Sequence, residues 1–107
     1  MAKRRLVAIE ILPVAKQDLQ EIVSFIAQGS IKYANLEKRL IIEAISKLYY
    51  FPELGVPFIY KSIDSRKLVF RNYLIIYRFK TRQLIEILTV HHHSRLIANN
   101  PAFKDDD

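Results

Sequence analysis

RKLVFRNYLIIYRFKTRQLIEILTVHHHSR, the run from Arg66 to Arg95, decides how this chain folds. Three segments rich in β-branched and aromatic residues succeed one another in it, about Arg66–Phe70, Tyr73–Phe79 and Leu84–His92. Runs of that length and composition are strands, and the polar breaks Arg71-Asn72 and Thr81-Arg82 are tight-turn candidates between them. The stretch is also basic. From Lys61 onward it holds Lys61, Arg66, Lys67, Arg71, Arg78, Lys80, Arg82 and Arg95 against only Asp64 and Glu86. A sheet with that bias favours an anionic partner: nucleic acid, a nucleic-acid enzyme or an acidic protein segment.

Working outward, the residues just ahead of this run are a loop bounded by Pro52, Gly55 and Pro57, in which Phe58-Ile59-Tyr60 reads either as a short strand or as an apolar plug. Before the loop lies a helix predicted over Ile31–Phe51 and stopped by Pro52. Its apolar stripe is Ala34, Ile41, Ala44, Ile45 and Leu48; Glu37, Lys38, Glu43 and Lys47 are read as its exposed side, with Glu43–Lys47 a favourable i,i+4 pair. Ser30 is placed to cap it. An earlier helix opens at Pro13, whose missing N–H costs nothing there, repeats Ala15, Leu19, Ile22, Val23 and Ile26 at helical spacing, and ends at Gly29. Ahead of it, Leu6–Leu12 alternates as a strand with Val7, Ile9 and Ile11 on one face. The order β-α-α-β-β-β predicts an α+β fold with two helices packed on one face of a small, mostly antiparallel sheet.

The 107 residues make one domain, with a core over about 6–95 and a C-terminal tail over 96–107 that ends in KDDD. Half the residues are hydrophobic, the net charge is +6 and the pI is near 9.7. The absence of cysteine excludes disulfides and thiolate metal sites. The opening MAKRRLVAIEILP is a poor signal peptide and too short to span a bilayer, so the expected location is the cytoplasm, with no membrane partner.

Four landmarks now line up. They are Ala15-x-x-Asp18-Leu19-x-x-Ile22-x-x-Phe25-Ile26, then Leu48-x-x-x-Pro52-x-x-Gly55, then Arg66-x-Leu68 followed by Tyr73-Leu74-Ile75-Ile76-Tyr77-Arg78, and finally Ile87-Leu88-x-Val90-x-His92-x-x-Arg95. In this order and spacing they resemble the RelE/ParE superfamily of toxins from type II toxin–antitoxin systems, also called plasmid-stabilisation proteins. The resemblance implies a growth-arresting toxin silenced by a cognate antitoxin whose acidic, amphipathic segment folds onto it. It leaves two targets open. RelE-like members cut mRNA on the ribosome, without a metal; ParE-like members inhibit DNA gyrase. An inactivated member that only binds antitoxin is a third alternative. Either a homodimer or a toxin–antitoxin hetero-oligomer fits the resemblance.

Ribonuclease chemistry would need a proton acceptor, a proton donor and cations around the reacting phosphate. His92 occupies the superfamily's recurrent C-terminal histidine position, and Arg66, Arg71 and Arg78 are the strongest phosphate candidates by residue type; His92, Arg66 and Arg71 are the catalytic candidates in that case. A departure counts against it. The ribonuclease branch follows the first tyrosine of this strand with an arginine, as in Tyr-Arg-Leu-Val-Tyr, and here that residue is Leu74. Lys61, Arg66 and Lys67 match that branch's upstream basic residues only loosely. The ParE-like side is therefore preferred, with Arg66, Arg71, Tyr73, Arg78, His91, His93 and Arg95 as candidate contacts to target or antitoxin. Strand alternation sets His92 in register with Leu88 and Val90, and His91 with His93 on the opposite face, about 6.6 Å apart. That pair lacks an evident third ligand, so neither a metal nor another cofactor is expected. Tyr33, Tyr49, Tyr50 and Tyr60 have faces that could stack on bases, but are read as core or helix-packing aromatics.

Overall fold

The computed structural model describes residues 7–92. The elements are β1 (Ala8–Ile11), α1 (Pro13–Ala27), α2 (Ile31–Ser46), β2 (Val56–Tyr60), β3 (Ile63–Phe70), β4 (Tyr73–Thr81) and β5 (Leu84–His92). The strands form one sheet in the order β1-β5-β4-β3-β2. β1 runs parallel to β5 and every other pairing is antiparallel. The expected α+β architecture is what forms, with one strand more than predicted.

That strand is β2. Phe58-Ile59-Tyr60 is a strand paired to β3, and its Phe58 and Tyr60 also pack in a small apolar cluster with Leu74, Ile76 and Leu88 on the sheet face away from the helices, while Ile59 is exposed. Pairing to β2 also draws β3 back to Ile63, three residues earlier than its apolar run suggests. The turn between them, Lys61-Ser62, has φ of 49° and 67°, the left-handed region that two-residue hairpins use because it matches the strand twist. Between β4 and β5 the two residues are Arg82-Gln83, not Thr81-Arg82, since Thr81 still pairs with Leu84.

The helices form by the expected logic. Pro13 occupies the first turn of α1, and the Ser30 hydroxyl accepts from the Tyr33 N–H at 3.0 Å to start α2. α2 is shorter than predicted. It ends at Ser46 and tightens into a single 3₁₀ turn, Lys47–Tyr49, before Pro52. Its ion pair is Arg39–Glu43 at 4.0 Å rather than Glu43–Lys47. The helices and the 3₁₀ turn lay Ala15, Leu19, Ile22, Ile41, Ala44, Ile45 and Leu48 against Tyr73, Ile75, Tyr77, Ile85, Ile87 and Val90 of the sheet. Burying each of the larger aliphatic side chains there contributes about 1.5–3 kcal/mol. No helix among the described residues is long and apolar enough to cross a membrane.

Three side-chain assignments change. Glu37, read as exposed, is 3% exposed. Tyr33, Tyr49 and Tyr50, read as packing aromatics, are 48%, 39% and 54% exposed. The alternation of β5 slips: Ile76 pairs with Thr89 but Tyr77 with Ile87, so Leu88 is an extra, bulged residue. The bulge sends Leu88 to the face away from the helices while Val90 stays in the main core, and His92 packs on Tyr73 on the helix side. His92 thus shares a face with Val90 and not with Leu88.

Candidate functional site

Three of the sequence candidates, Arg66, Arg71 and His92, lie around two tyrosines of β4, Tyr77 and Tyr73. At the first, Tyr77, the hydroxyl donates to the Pro52 carbonyl at 2.8 Å and accepts from the Gly55 N–H at 2.9 Å. Arg66, opposite Tyr77 on β3, donates through Nη1 to the carbonyls of Gly55 at 2.5 Å and Glu53 at 3.4 Å. The loop after α2 is tied to the sheet by these bonds. Gly55 is required there by space: a Cβ would lie 2.8 Å from the Lys67 carbonyl oxygen and 2.9 Å from Tyr77 Cε1. Burial pushes the Tyr77 phenol above its ordinary range, partly offset by the Gly55 N–H. The Leu48-x-x-x-Pro52-x-x-Gly55 landmark and the Arg66/Tyr77 landmark are therefore one physical unit.

The second tyrosine, Tyr73, lies at the β3–β4 end. Its hydroxyl donates to Glu37 Oε1 at 2.9 Å, and Arg71 Nη2 donates to Glu37 Oε2 at 3.1 Å. Both oxygens of one buried carboxylate are thus engaged by strand-end residues. The Tyr73 ring meets the His92 ring edge to face, 5.4 Å between centroids. Burial, reinforced by the hydrogen bond to Glu37, raises the Tyr73 phenol well above the usual tyrosine range, so it remains a donor. Arg71 has φ of 55°, left-handed backbone that a non-glycine residue seldom adopts, and its side chain is 48% exposed. Arg71, Tyr73 and His92 are brought together here, with Glu37 at the centre.

A second carboxylate grips the same end of β5. β1 stops pairing at Ile11–Ile87, and beyond that point Asp18 of α1 stands in for a strand: its Oδ2 accepts from the Val90 N–H at 3.1 Å and from the Thr89 hydroxyl at 2.5 Å. Thr89 Oγ1 lies 3.2 Å from His91 Nε2. Burial pulls His91 below the ordinary histidine range, against the opposing pull of the Asp18 charge.

Arg78 lies apart from these groups. It pairs with Glu86 at 2.9 Å on the sheet face away from the helices, where Lys80 reaches the other Glu86 oxygen at 3.7 Å. On that face Lys67 sits over the Phe58 ring, 4.9 Å from its centroid, and the Lys61 ammonium is 5.4 Å from the Tyr60 centroid. Leu74, at the position where the ribonuclease branch has arginine, is 6% exposed within the cluster there. His93 and Arg95 lie outside the described residues. Among the described residues no three His, Asp or Glu side chains are grouped to hold a metal ion.

Glu37, Asp18, Thr89 and Gly55 were not among the site candidates. The helical phase of Glu37, between Ala34 and Ile41 on the buried stripe, pointed to burial, but its charge argued for exposure and the donors that satisfy it lie far along the chain. Asp18 and Gly55 were visible as landmarks whose physical role the sequence does not reveal. Nothing in the sequence marked Thr89.

A β-α-α-β-β-β-β chain with this sheet order and a helix layer on one face has the fold of RelE/ParE toxins. Two solved structures show the likeness. One, from the chromosomal ParDE toxin–antitoxin system of P. aeruginosa, superimposes with a TM-score of 0.69 at 18% identity, covering 81% of this chain and 96% of that one. The other, from the toxin–antitoxin complex RelBE2 of Mycobacterium tuberculosis, has a TM-score of 0.55 at 18% identity, covering 81% of this chain and 98% of that one. No curated protein sequence matches the chain. Residues 9–97 match the family described as ParE toxin of type II toxin-antitoxin system, parDE, and the chain belongs to that family.

Proposed function

We propose that the protein is a cytoplasmic toxin that arrests growth by inhibiting DNA gyrase, and that a cognate antitoxin neutralises it by laying an acidic, amphipathic segment on its basic surface. One observation carries the choice of target. Arg66, a cation that RNA cleavage would recruit, is committed to the scaffold through the Gly55 and Glu53 carbonyls, and one nitrogen of Arg71 is already taken by Glu37. Leu74 meanwhile contributes an apolar side chain where the ribonuclease branch has a charge. His92 faces Tyr73, whose raised phenol is a poor acid–base partner near neutral pH.

The deciding experiment runs two assays on the purified toxin. In a gyrase reaction the toxin is expected to suppress DNA supercoiling, and added antitoxin to restore it. On translating ribosomes it is expected to leave mRNA intact. Untouched supercoiling together with mRNA cleavage that His92→Ala abolishes would overturn the proposal in favour of the ribonuclease reading. Absence of growth arrest on expression without antitoxin would leave the inactive, antitoxin-binding member. Sedimentation with and without antitoxin reads whether the species are homodimers or hetero-oligomers.

A further inference from the structure

We propose that Glu37 is a positioning residue for the toxin's contact surface. In this role a buried carboxylate on α2 fixes Arg71 and Tyr73, and through the Tyr73 ring His92, in the arrangement that meets the toxin's protein target. The inference rests on the toxin reading above but adds a residue that neither the fold nor the family match assigns.

A buried carboxylate at this position is costly. The neighbours of Glu37 on the α2 stripe, Ala34, Ile41, Ala44 and Ile45, are all buried and apolar. An apolar residue at this phase would pack on the same core without the desolvation penalty of a carboxylate, and buried ion pairs frequently lose to apolar replacements of similar size. The carboxylate is nonetheless fully engaged, one oxygen to Tyr73 and one to Arg71. Its ligands include the one described residue of the β3–β4 turn with left-handed backbone, Arg71. A strained, non-glycine conformation held by a buried charge is a feature that stability alone does not select.

The direction of the contacts matters as much as their cost. Order is passed from inside to outside: Glu37 is buried, Arg71 is half exposed, and His92 is partly exposed at the end of β5. Arg71 spends one nitrogen on Glu37, and a guanidinium carries five N–H donors. The outward donors are thereby aimed without being consumed, which suits recognition of a carboxylate-bearing protein surface. Tyr33, one turn before Glu37 on α2 and 48% exposed, stands beside the same group.

The test uses the full chain with Glu37→Gln, which keeps the shape and loses the charge. Glu43→Gln, on the exposed side of the same helix, controls for removal of one negative charge. Growth arrest is measured at matched protein levels without antitoxin, and the His92 ring C–H resonances are followed by NMR at one fixed pH. Glu37→Gln is expected to weaken growth arrest by about tenfold or more and to move the His92 resonances, while Glu43→Gln matches the unmodified chain in both. Full growth arrest, or unmoved His92 signals, in folded Glu37→Gln would overturn the proposal. If Glu37→Gln does not fold, Tyr73→Phe, which keeps the ring and removes the hydroxyl, is read by the same criteria. A chain that never arrests growth but whose His92 responds to Glu37→Gln would instead remove the toxin reading and leave the positioning role standing.

Discussion

Two tyrosine–arginine pairs hold the sheet to what packs over it, and they hold different things. Tyr77 and Arg66 grip backbone, the carbonyls of Pro52, Glu53 and Gly55 and the Gly55 N–H. Tyr73 and Arg71 grip a side chain, the Glu37 carboxylate. The residue types are the same and the tyrosines are four apart on β4, yet the consequences differ. Backbone acceptors do not titrate and cannot be redirected, so the first pair fixes a loop and nothing else. A carboxylate carries charge, and the arginine bound to it remains half exposed. The second pair is therefore the one whose environment can change on binding a partner. Strong arginine and tyrosine contacts do not by themselves mark a site; the nature of the acceptor separates scaffold from surface.

The largest loss of stability is expected at Gly55. Gly55→Ala forces a Cβ against the Lys67 carbonyl and the Tyr77 ring. It is expected to cost about 3 kcal/mol, read as a lowered midpoint in urea unfolding, without changing the His92 NMR signals. Glu37→Ala strands the Tyr73 hydroxyl and half of an ion pair. The expected loss is about 2–3 kcal/mol in the same assay, here with His92 perturbed. Equal His92 responses to the two changes would erase the distinction between the regions.

Next in size is the pH dependence. Tyr73 and Tyr77 both have raised folded-state values, so their contribution to stability is fully present below the ordinary phenol value of 10.0 and is lost as pH rises from there through the folded values. His91 is depressed, so its contribution is complete above 6.5 and falls as pH drops through its folded value. Stability against urea should therefore decline on both sides, and tyrosinate absorbance should show the two phenols ionising after the exposed ones. Two tyrosines titrating early with the rest would contradict the burial on which both pairs depend.

The smallest expected effect sharpens the role of backbone strain. Ser62→Gly relieves left-handed strain in a turn with no counter-ion and should stabilise by a few tenths to about 1 kcal/mol. Arg71→Gly relieves the same kind of strain but removes the Glu37 contact, so it should destabilise instead. Matching signs in thermal unfolding would mean that Arg71 holds its conformation for local reasons alone.

Local pattern and order were enough for the architecture. The apolar runs from Arg66 to His92, the helical stripes, Pro13 and Ser30 all respond to forces acting within a few residues, and the three strands, the two helices and the α2 cap expected from them all form. The family landmarks were equally readable, because they are spacings along the chain. What escaped was anything set by a partner distant in sequence. The burial of Glu37 depends on Tyr73 and Arg71, more than thirty residues away. The Leu88 bulge arises where two strands pair, and it alone reassigns the faces of β5. β2 exists because β3 offers it an edge. Charge steers a carboxylate outward by default, and strict alternation steers β5 into one register; only tertiary packing supplies the donors and the slipped pairing that reverse those defaults. The sequence by itself thus determined the fold and the family, through local periodicity. The tertiary structure decided which charged residues build the scaffold and which remain presented to a partner, because that choice rests on the acceptor each one meets across the fold.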